Sequence, residues 1–412
     1  MNKALSVARG SLRFERTPAW SHHAEANGPV EQSSAVEGSQ GPGVNLFGFL
    51  RGEFGLAEGA RLYSRALIQG GFKIALNDIN LEVAHGWNDR SMDPWITDQA
   101  PYSNTIIFVN PDFLAPVLEK IGSERLAGHR IIACWFWELE TIPQAWLPVF
   151  DMVDEIIVAS TFVETAFRKV TDKPILRVPL PLWSVPDSGL QRRDFGLEAG
   201  KFIFLCTFDF HSSIERKNPF GAIAAFKLAF PGGRDDVRLL IKSSGGEQAP
   251  EQLGRLLDAV ADDPRILVRD DLIARAHVQA LQRCCDAYVS LHRAEGFGLG
   301  IAECMALGKP VIATGWSGNM DFMDVENSVP VDYALSPIAP GDYPHSEGGR
   351  WADPDENSAA AAMVKLVDEP YFASKLSVKA LVVKEKLSPA VVCGTIGAWL
   401  DRPRPHPERR MS

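Results

Sequence analysis

Ser290–Met323 reads SLHRAEGFGLGIAECMALGKPVIATGWSGNMDFM. The apolar run AYVSLH forms a strand that ends near His292, and a glycine-bearing loop follows. A helix then starts at about Leu299, and PVIATG supplies the next strand. Strand, loop, helix and strand in this order are the unit of a parallel sheet covered by helices. Gly296 and Gly298 let the backbone approach a ligand closely, with Phe297 between them. The free amides and positive end of the helix suit a diphosphate. Glu295 lies in the loop and Glu303 about one turn inside the helix. On spacing alone, the two glutamates read equally well as solvated surface carboxylates and the glycines as a turn.

The same alternation extends upstream. KFIFLCTFDF, VRLLIKS and RILVRD read as strands, separated by the helical stretches NPFGAIAAFKLAF, PEQLGRLLDAV and IARAHVQALQRCC. An earlier series opens with VNLFGFL at Val44 and the helix AEGARLYSRALIQGG. It continues with strands at Phe72–Leu76, Ile106–Val109, Ile131–Trp135 and Ile156–Ala159, and Ser160 caps the helix STFVETAFRKV. PLPLW, from Pro179 to Trp183, links the two series, because proline resists both helix and central strand. The fold class is therefore α/β, with two Rossmann-like parallel-sheet domains facing across a cleft. The expected organisation is a disordered leader over residues 1–42, domains over 43–183 and 184–388, and a flexible tail over 401–412. A last helix, 389–400, begins at Pro389, where the missing amide needs no partner, and presents Val392, Ile396 and Trp399 on an apolar face.

The chain has 412 residues, 46% of them hydrophobic, and a formal net charge of -10 from 42 basic and 52 acidic residues. That is ample for two cores, and it weighs against sequence-independent binding to nucleic acid. Six scattered cysteines without a C-x-x-C pair indicate reduced thiols and no structural zinc. No run approaches the roughly 20 apolar residues that span a bilayer. A cytoplasmic location follows, with peripheral attachment at the inner membrane face left open.

The segment E-G-F-G followed by E-C-M-A-L-G-K-P-V-I-A-T resembles the signature of retaining nucleotide-sugar glycosyltransferases of the GT-B fold, the family 4 group. The fold-level resemblance spans roughly residues 44 to 400. It implies that Glu295 contacts the transferred sugar and Glu303 the ribose, and that no cofactor is required. The implied partners are a nucleoside diphosphate sugar donor and a carbohydrate or lipid-linked glycan acceptor, in polysaccharide or glycoconjugate synthesis. It also implies that the last helix returns to complete the first, acceptor-side domain. In CTFDFHSSIERKNP, Lys217 matches the family's diphosphate lysine, whereas Asp209 and Phe210 stand where its arginine is expected. Arg216 is the substitute, and Lys242, after VRLLI, a further basic candidate. Arg216 and Lys217 would neutralise charge on the leaving diphosphate.

Gly55, in GFLRGEFGLAEG, is placed by the resemblance beneath the donor. That loop is not G-x-G-x-x-G, which disfavours a dinucleotide-dependent oxidoreductase. Glu295, Glu303 and Lys217 together disfavour the other rival, a catalytically silent binding module. Trp137 and Glu138 stand where the family has a histidine, so that Trp137 reads either as a sugar platform or as core. His292 is a candidate for orienting the Glu295 loop or touching the donor, and His85 a weaker cleft candidate. Trp316 and Asn319 follow PVIATG and are candidates for closing over donor or acceptor. Asp321 and Asp324 lack the further ligands that a metal site needs.

Overall fold

The computed structural model describes residues 43–81, 86–183 and 187–403; the leader, His85 and the end of the tail lie outside them. The first domain contains β1 (Val44–Gly48), α1 (Gly55–Gln69), β2 (Ile74–Asp78), β3 (Asn104–Phe108) and α2 (Pro111–Ile121). It continues through β4 (Arg130–Cys134), β5 (Glu155–Val158), α3 (Thr161–Arg168) and β6 (Ile175–Arg177). These strands form one parallel sheet in the order β2-β1-β3-β4-β5-β6. β1, β3, β4 and β5 are buried along their whole length, which is why they show no polar-apolar alternation, although Asn45, Thr105, Arg130 and Glu155 are buried among their apolar residues.

The second domain runs through β7 (Phe202–Asp209), α4 (Ile214–Lys217), α5 (Pro219–Ala229), β8 (Val237–Ser244), α6 (Pro250–Val260) and β9 (Ile266–Asp270). There follow α7 (Arg275–Cys284), β10 (Ala287–Ser290), α8 (Leu299–Ala306), β11 (Val311–Thr314) and β12 (Val329–Val331). Its parallel sheet has the order β12-β11-β10-β7-β8-β9, so both domains are built on six-stranded parallel sheets, with one more strand on the far side of the first strand in the second domain. Ligand sites in such sheets gather at the carboxyl ends of the strands.

A short antiparallel pair, β13 (Tyr333–Pro337) and β14 (Arg350–Pro354), then projects from the second domain. The chain ends in α9 (Glu356–Asp368), α10 (Pro370–Ala380), α11 (Val383–Lys386) and α12 (Pro389–Leu400). Ser388 caps α12 by accepting from the Val391 amide. This helix crosses back and packs on α1. Its buried Trp399 donates Nε1–H to Glu155 Oε2. Glu155 in turn holds Arg130 through bonds of 2.9 and 2.7 Å, and Arg130 reaches the Leu400 carbonyl at 3.3 Å. Two buried charges at the start of β4 and β5 thus tether the end of the chain to the first domain.

Candidate active site

α4 is a single turn between β7 and α5, and both of its ends are pinned. Ser213, at φ 64°, caps its start, and Asn218, at φ 50°, ends it. Asn218 Oδ1 accepts from the Gly221 amide at 3.0 Å, while Nδ2 donates to the Leu291 carbonyl at 2.8 Å. The end of β10 is thereby locked to this turn, which brings Arg216 and Lys217 against the Glu295 loop. Lys217 Nζ is hydrogen-bonded to Glu295 Oε1, and Arg216 Nη1 stands 3.6 Å from the same oxygen. Arg216 also donates to the Ala294 carbonyl at 2.8 Å. Its Nη2 lies 3.8 Å from Glu138 Oε1 of the first domain.

Burial alone would raise the Glu295 carboxyl, but Lys217 and then Arg216 outweigh it and hold it at about 2. Arg216 is likewise raised despite its burial, because Glu138 and Glu295 favour its charge. At neutral pH, Glu295 is therefore an anion that accepts hydrogen bonds and has no proton to give. Two carboxylates and two cations from both domains form a nearly neutral cluster at the lip of the cleft.

His292 is buried beneath this loop. Its Nδ1 lies 3.0 Å from Ser290 Oγ, and its Nε2 lies 3.0 Å from Asn319 Oδ1 and 3.4 Å from the Trp316 carbonyl. Burial lowers its pKa, so the ring is neutral. Two acceptors face Nε2, which assigns the proton there and leaves Nδ1 to accept from Ser290. Asn319 Nδ2 donates to the Thr314 carbonyl at 3.0 Å. The Glu295 amide donates to Ser317 Oγ at 2.9 Å, and the Gly318 amide returns to the Glu295 carbonyl at 2.9 Å. His292 and Asn319 are thus braces that set the Glu295 loop, with every polar side-chain group engaged inside the protein.

The glycines separate into two kinds. A Cβ on Gly296 would lie 2.9 Å from the Trp137 carbonyl, and the Gly296 carbonyl accepts from Ser160 Oγ at 2.6 Å. The first domain therefore presses directly on this loop. Gly298, at φ 90°, is the N-cap of α8. Gly55 opens α1, and a Cβ there would meet nothing within 4 Å. Protein packing does not require glycine at that position, and the space before it is open.

Glu303 is buried in α8. Gln282 Nε2 donates to its Oε2 at 3.1 Å, and Arg275, the first residue of α7, is paired with its Oε1. Arg275 also reaches Glu58 on α1 across the cleft, at 3.4 Å. Arg275, Glu58 and Gln282 carry no motif in the sequence. Their roles follow only from the approach of α1, α7 and α8.

Several candidates lie elsewhere. Lys242 is buried against Asp271, 3.0 Å from Oδ1, and also donates to the Ser243 carbonyl at 2.6 Å. Its ammonium group is committed at the β8–β9 edge and does not join the Glu295 cluster. The Trp137 ring is core: it packs edge-on against Trp146 at 4.5 Å, and its Nε1 donates to the Thr141 carbonyl at 2.7 Å. Trp316 packs on Phe162 of the first domain at 4.9 Å, so it joins the domains rather than covering a ligand. The Phe297 ring packs on Phe322 at 5.2 Å and borders an interdomain cavity of about 400 Å³. Asp321 accepts from the Thr161 amide at 2.8 Å, and among the described residues no three His, Cys, Asp or Glu side chains gather to hold a metal ion. Among the described residues, no helix is long and apolar enough to cross a membrane.

Residues 202–368, most of the second domain, match the family model for Glycosyl transferases group 1. HepE of Anabaena, solved with UDP and glucose, superposes with a TM-score of 0.63 at 14% identity, covering 87% of this chain and 99% of that one. Sucrose-phosphate synthase from Thermosynechococcus elongatus gives 0.63 at 14% identity, with coverage of 87% and 98%. A glycosyltransferase from Rickettsia africae ESF-5 gives 0.64 at 12% identity, with coverage of 87% and 97%. The shared architecture is the two-domain GT-B fold. No curated protein matches the chain significantly in sequence.

Proposed function

We propose that this chain is a retaining, family 4-like glycosyltransferase that moves a sugar from a nucleoside diphosphate donor to an acceptor hydroxyl. The observation that carries the reading is Glu295. It is kept ionised between Lys217 and Arg216, one loop before the amino end of α8, with Glu303 further along the same helix. On this reading Glu295 accepts hydrogen bonds from hydroxyls of the transferred sugar. The α8 amides beyond Gly298 and the Lys217 ammonium face the diphosphate, and Arg216 supports Glu295 from behind. Charge grows on the diphosphate as its bond to the sugar breaks, so donors already fixed at that place stabilise the transition state more than the ground state. Glu303 takes the ribose hydroxyl pair, which requires Arg275 to leave it. The open space before Gly55 admits the donor from the first-domain side. The acceptor class is a carbohydrate or lipid-linked glycan, in polysaccharide or glycoconjugate assembly at the cytoplasmic membrane face.

The test is thermal unfolding in a panel of UDP, GDP, ADP and dTDP sugars, followed by acceptor-free hydrolysis of whichever donors stabilise the protein. A bound donor raises the unfolding temperature by mass action. Stabilisation together with release of free sugar and nucleoside diphosphate is expected. Nucleotide binding without any turnover of a sugar donor would leave a silent binding module and defeat the proposal.

A further inference from the structure

The loop joining β13 to β14, residues 338–349, carries a second-domain arm onto the first domain. Tyr343 on this arm packs against the Trp137 ring at 5.7 Å. His345 Nε2 lies 3.2 Å from Asp112 Oδ1, and Ser213 Oγ of the α4 cap holds the Asp342 carbonyl at 2.8 Å. The arm is therefore fastened at three points, one of them the turn that carries Arg216 and Lys217. Its tip reaches the cluster itself: Tyr343 OH donates to Glu138 Oε2 at 2.5 Å, and the Arg216 guanidinium lies over the Tyr343 ring at 5.7 Å. Burial, and then the charge of Glu138, keep the Tyr343 phenol protonated and hence a donor.

Glu138 is left with one oxygen in use. Tyr343 occupies Oε2, whereas Oε1 makes no hydrogen bond among the described residues, and its Arg216 neighbour stands off at 3.8 Å. The side chain remains 22% exposed, next to the Arg216–Glu295 pair. A partly buried carboxylate oxygen of this kind is an acceptor awaiting a donor. We propose that Glu138 is a specificity-determining residue that accepts a hydrogen bond from one hydroxyl of the transferred sugar. Tyr343 is the positioning residue that fixes its carboxylate. The arm then lets one domain set the sugar reading of the other, and donors lacking that hydroxyl leave Oε1 unpaired. This inference rests on the proposed glycosyltransferase reading.

The test uses the full chain and acceptor-free hydrolysis of UDP-, GDP-, ADP- and dTDP-glucose. The donor that the wild type hydrolyses is then compared with its 4-epimer and its 4-deoxy and 6-deoxy counterparts, with the bare nucleoside diphosphate as a binding control. The wild type should prefer the hydroxyl-bearing donor over one of these by about tenfold or more, the scale of a hydrogen bond to a charged group. Glu138→Ala should bring that ratio close to one. Tyr343→Phe, which keeps the ring, should reduce it about threefold or more, the scale of an ordinary net hydrogen bond, while affinity for the bare nucleotide stays within about twofold. A merely structural role would lower all donors together and leave the ratio alone. Hydrolysis by the wild type with an unchanged ratio in both variants overturns this inference and spares the glycosyltransferase reading. An effect seen only with acceptor present also overturns it, by moving Glu138 to the acceptor. No hydrolysis of any donor by the wild type removes both.

Discussion

Replacing Lys217 by Met tests whether the cluster around Glu295 is electrostatic in the way the geometry indicates. The wild-type carboxyl sits at about 2 against an ordinary value of 4.5. A carboxyl depressed in the folded state contributes stability that is complete above the unfolded value and is lost as pH falls through the folded one. The gap between 4.5 and about 2 corresponds to about 3 kcal/mol at neutral pH. Burial works in the opposite direction, so the cations supply more than this, and Lys217 is the largest among them. With Met at 217, only Arg216, at 3.6 Å, remains, and the carboxyl should climb back to the ordinary range or above it.

Urea unfolding of both proteins from pH 7 to pH 2.5 reads this directly. The variant should be less stable by about 2 to 3 kcal/mol at pH 7. The difference should shrink below pH 4.5 to about 1 kcal/mol or less at pH 2.5, because only the wild type still has the carboxylate's contribution to lose. Turnover should fall more than donor affinity, since the lysine faces charge that grows during reaction. A stability difference that stays constant across this window would refute the reasoning, for it would mean that Lys217 stabilises the fold without setting the ionisation of Glu295.

Glu303→Ala should weaken binding of the bare nucleoside diphosphate by about tenfold or more in calorimetry, the expected loss for hydrogen bonds to a charged group. Glu295→Ala should leave that affinity nearly untouched and lower turnover of the intact donor. Gly55→Ala meets no atom within 4 Å, so its unfolding free energy should stay within about 0.5 kcal/mol of the wild type while donor affinity drops. Trp399→Ala should cost about 3 to 5 kcal/mol in urea unfolding, through the lost ring volume. Trp399→Phe should lose at least about 1.5 to 3 kcal/mol, from the missing bond to Glu155 and the smaller ring.

The parts legible in the sequence were those whose information is local. β10, the Glu295 loop and α8 form one continuous unit, so the order of residues there is also their order in space. Buried strands such as β3 and β4 announce themselves by apolar centres, Ile106–Phe108 and Ile131–Cys134. Phe72 read as the start of a strand, yet β2 begins at Ile74 and Phe72 packs on the core beside α12. The β13–β14 pair escaped because Tyr333–Pro337 is largely exposed, without the buried alternating face that marks a half-buried strand. Trp137 and Trp316 illustrate a different limit: an aromatic ring suited to covering a sugar is equally suited to a core, and only its neighbours decide. The Lys242 ion pair was not legible for the same reason, because its partner Asp271 lies just beyond the neighbouring strand and not in its own segment.

Charge compensation within the protein explains why both candidate carboxylates can be buried at all. Glu295 has Lys217 and Arg216, and Glu303 has Arg275, so each acid is compensated by cations from another segment. An uncompensated charge at these depths would be strongly destabilising. On the proposed reading, the donor enters by exchanging partners. Its diphosphate competes with Glu295 for Lys217, and its ribose competes with Arg275 for Glu303. Arg275 is not stranded by that exchange, because Glu58 of the first domain already stands 3.4 Å from it. The same swap that seats the ribose therefore strengthens a contact between α7 and α1, which couples occupancy of the donor site to the approach of the two domains.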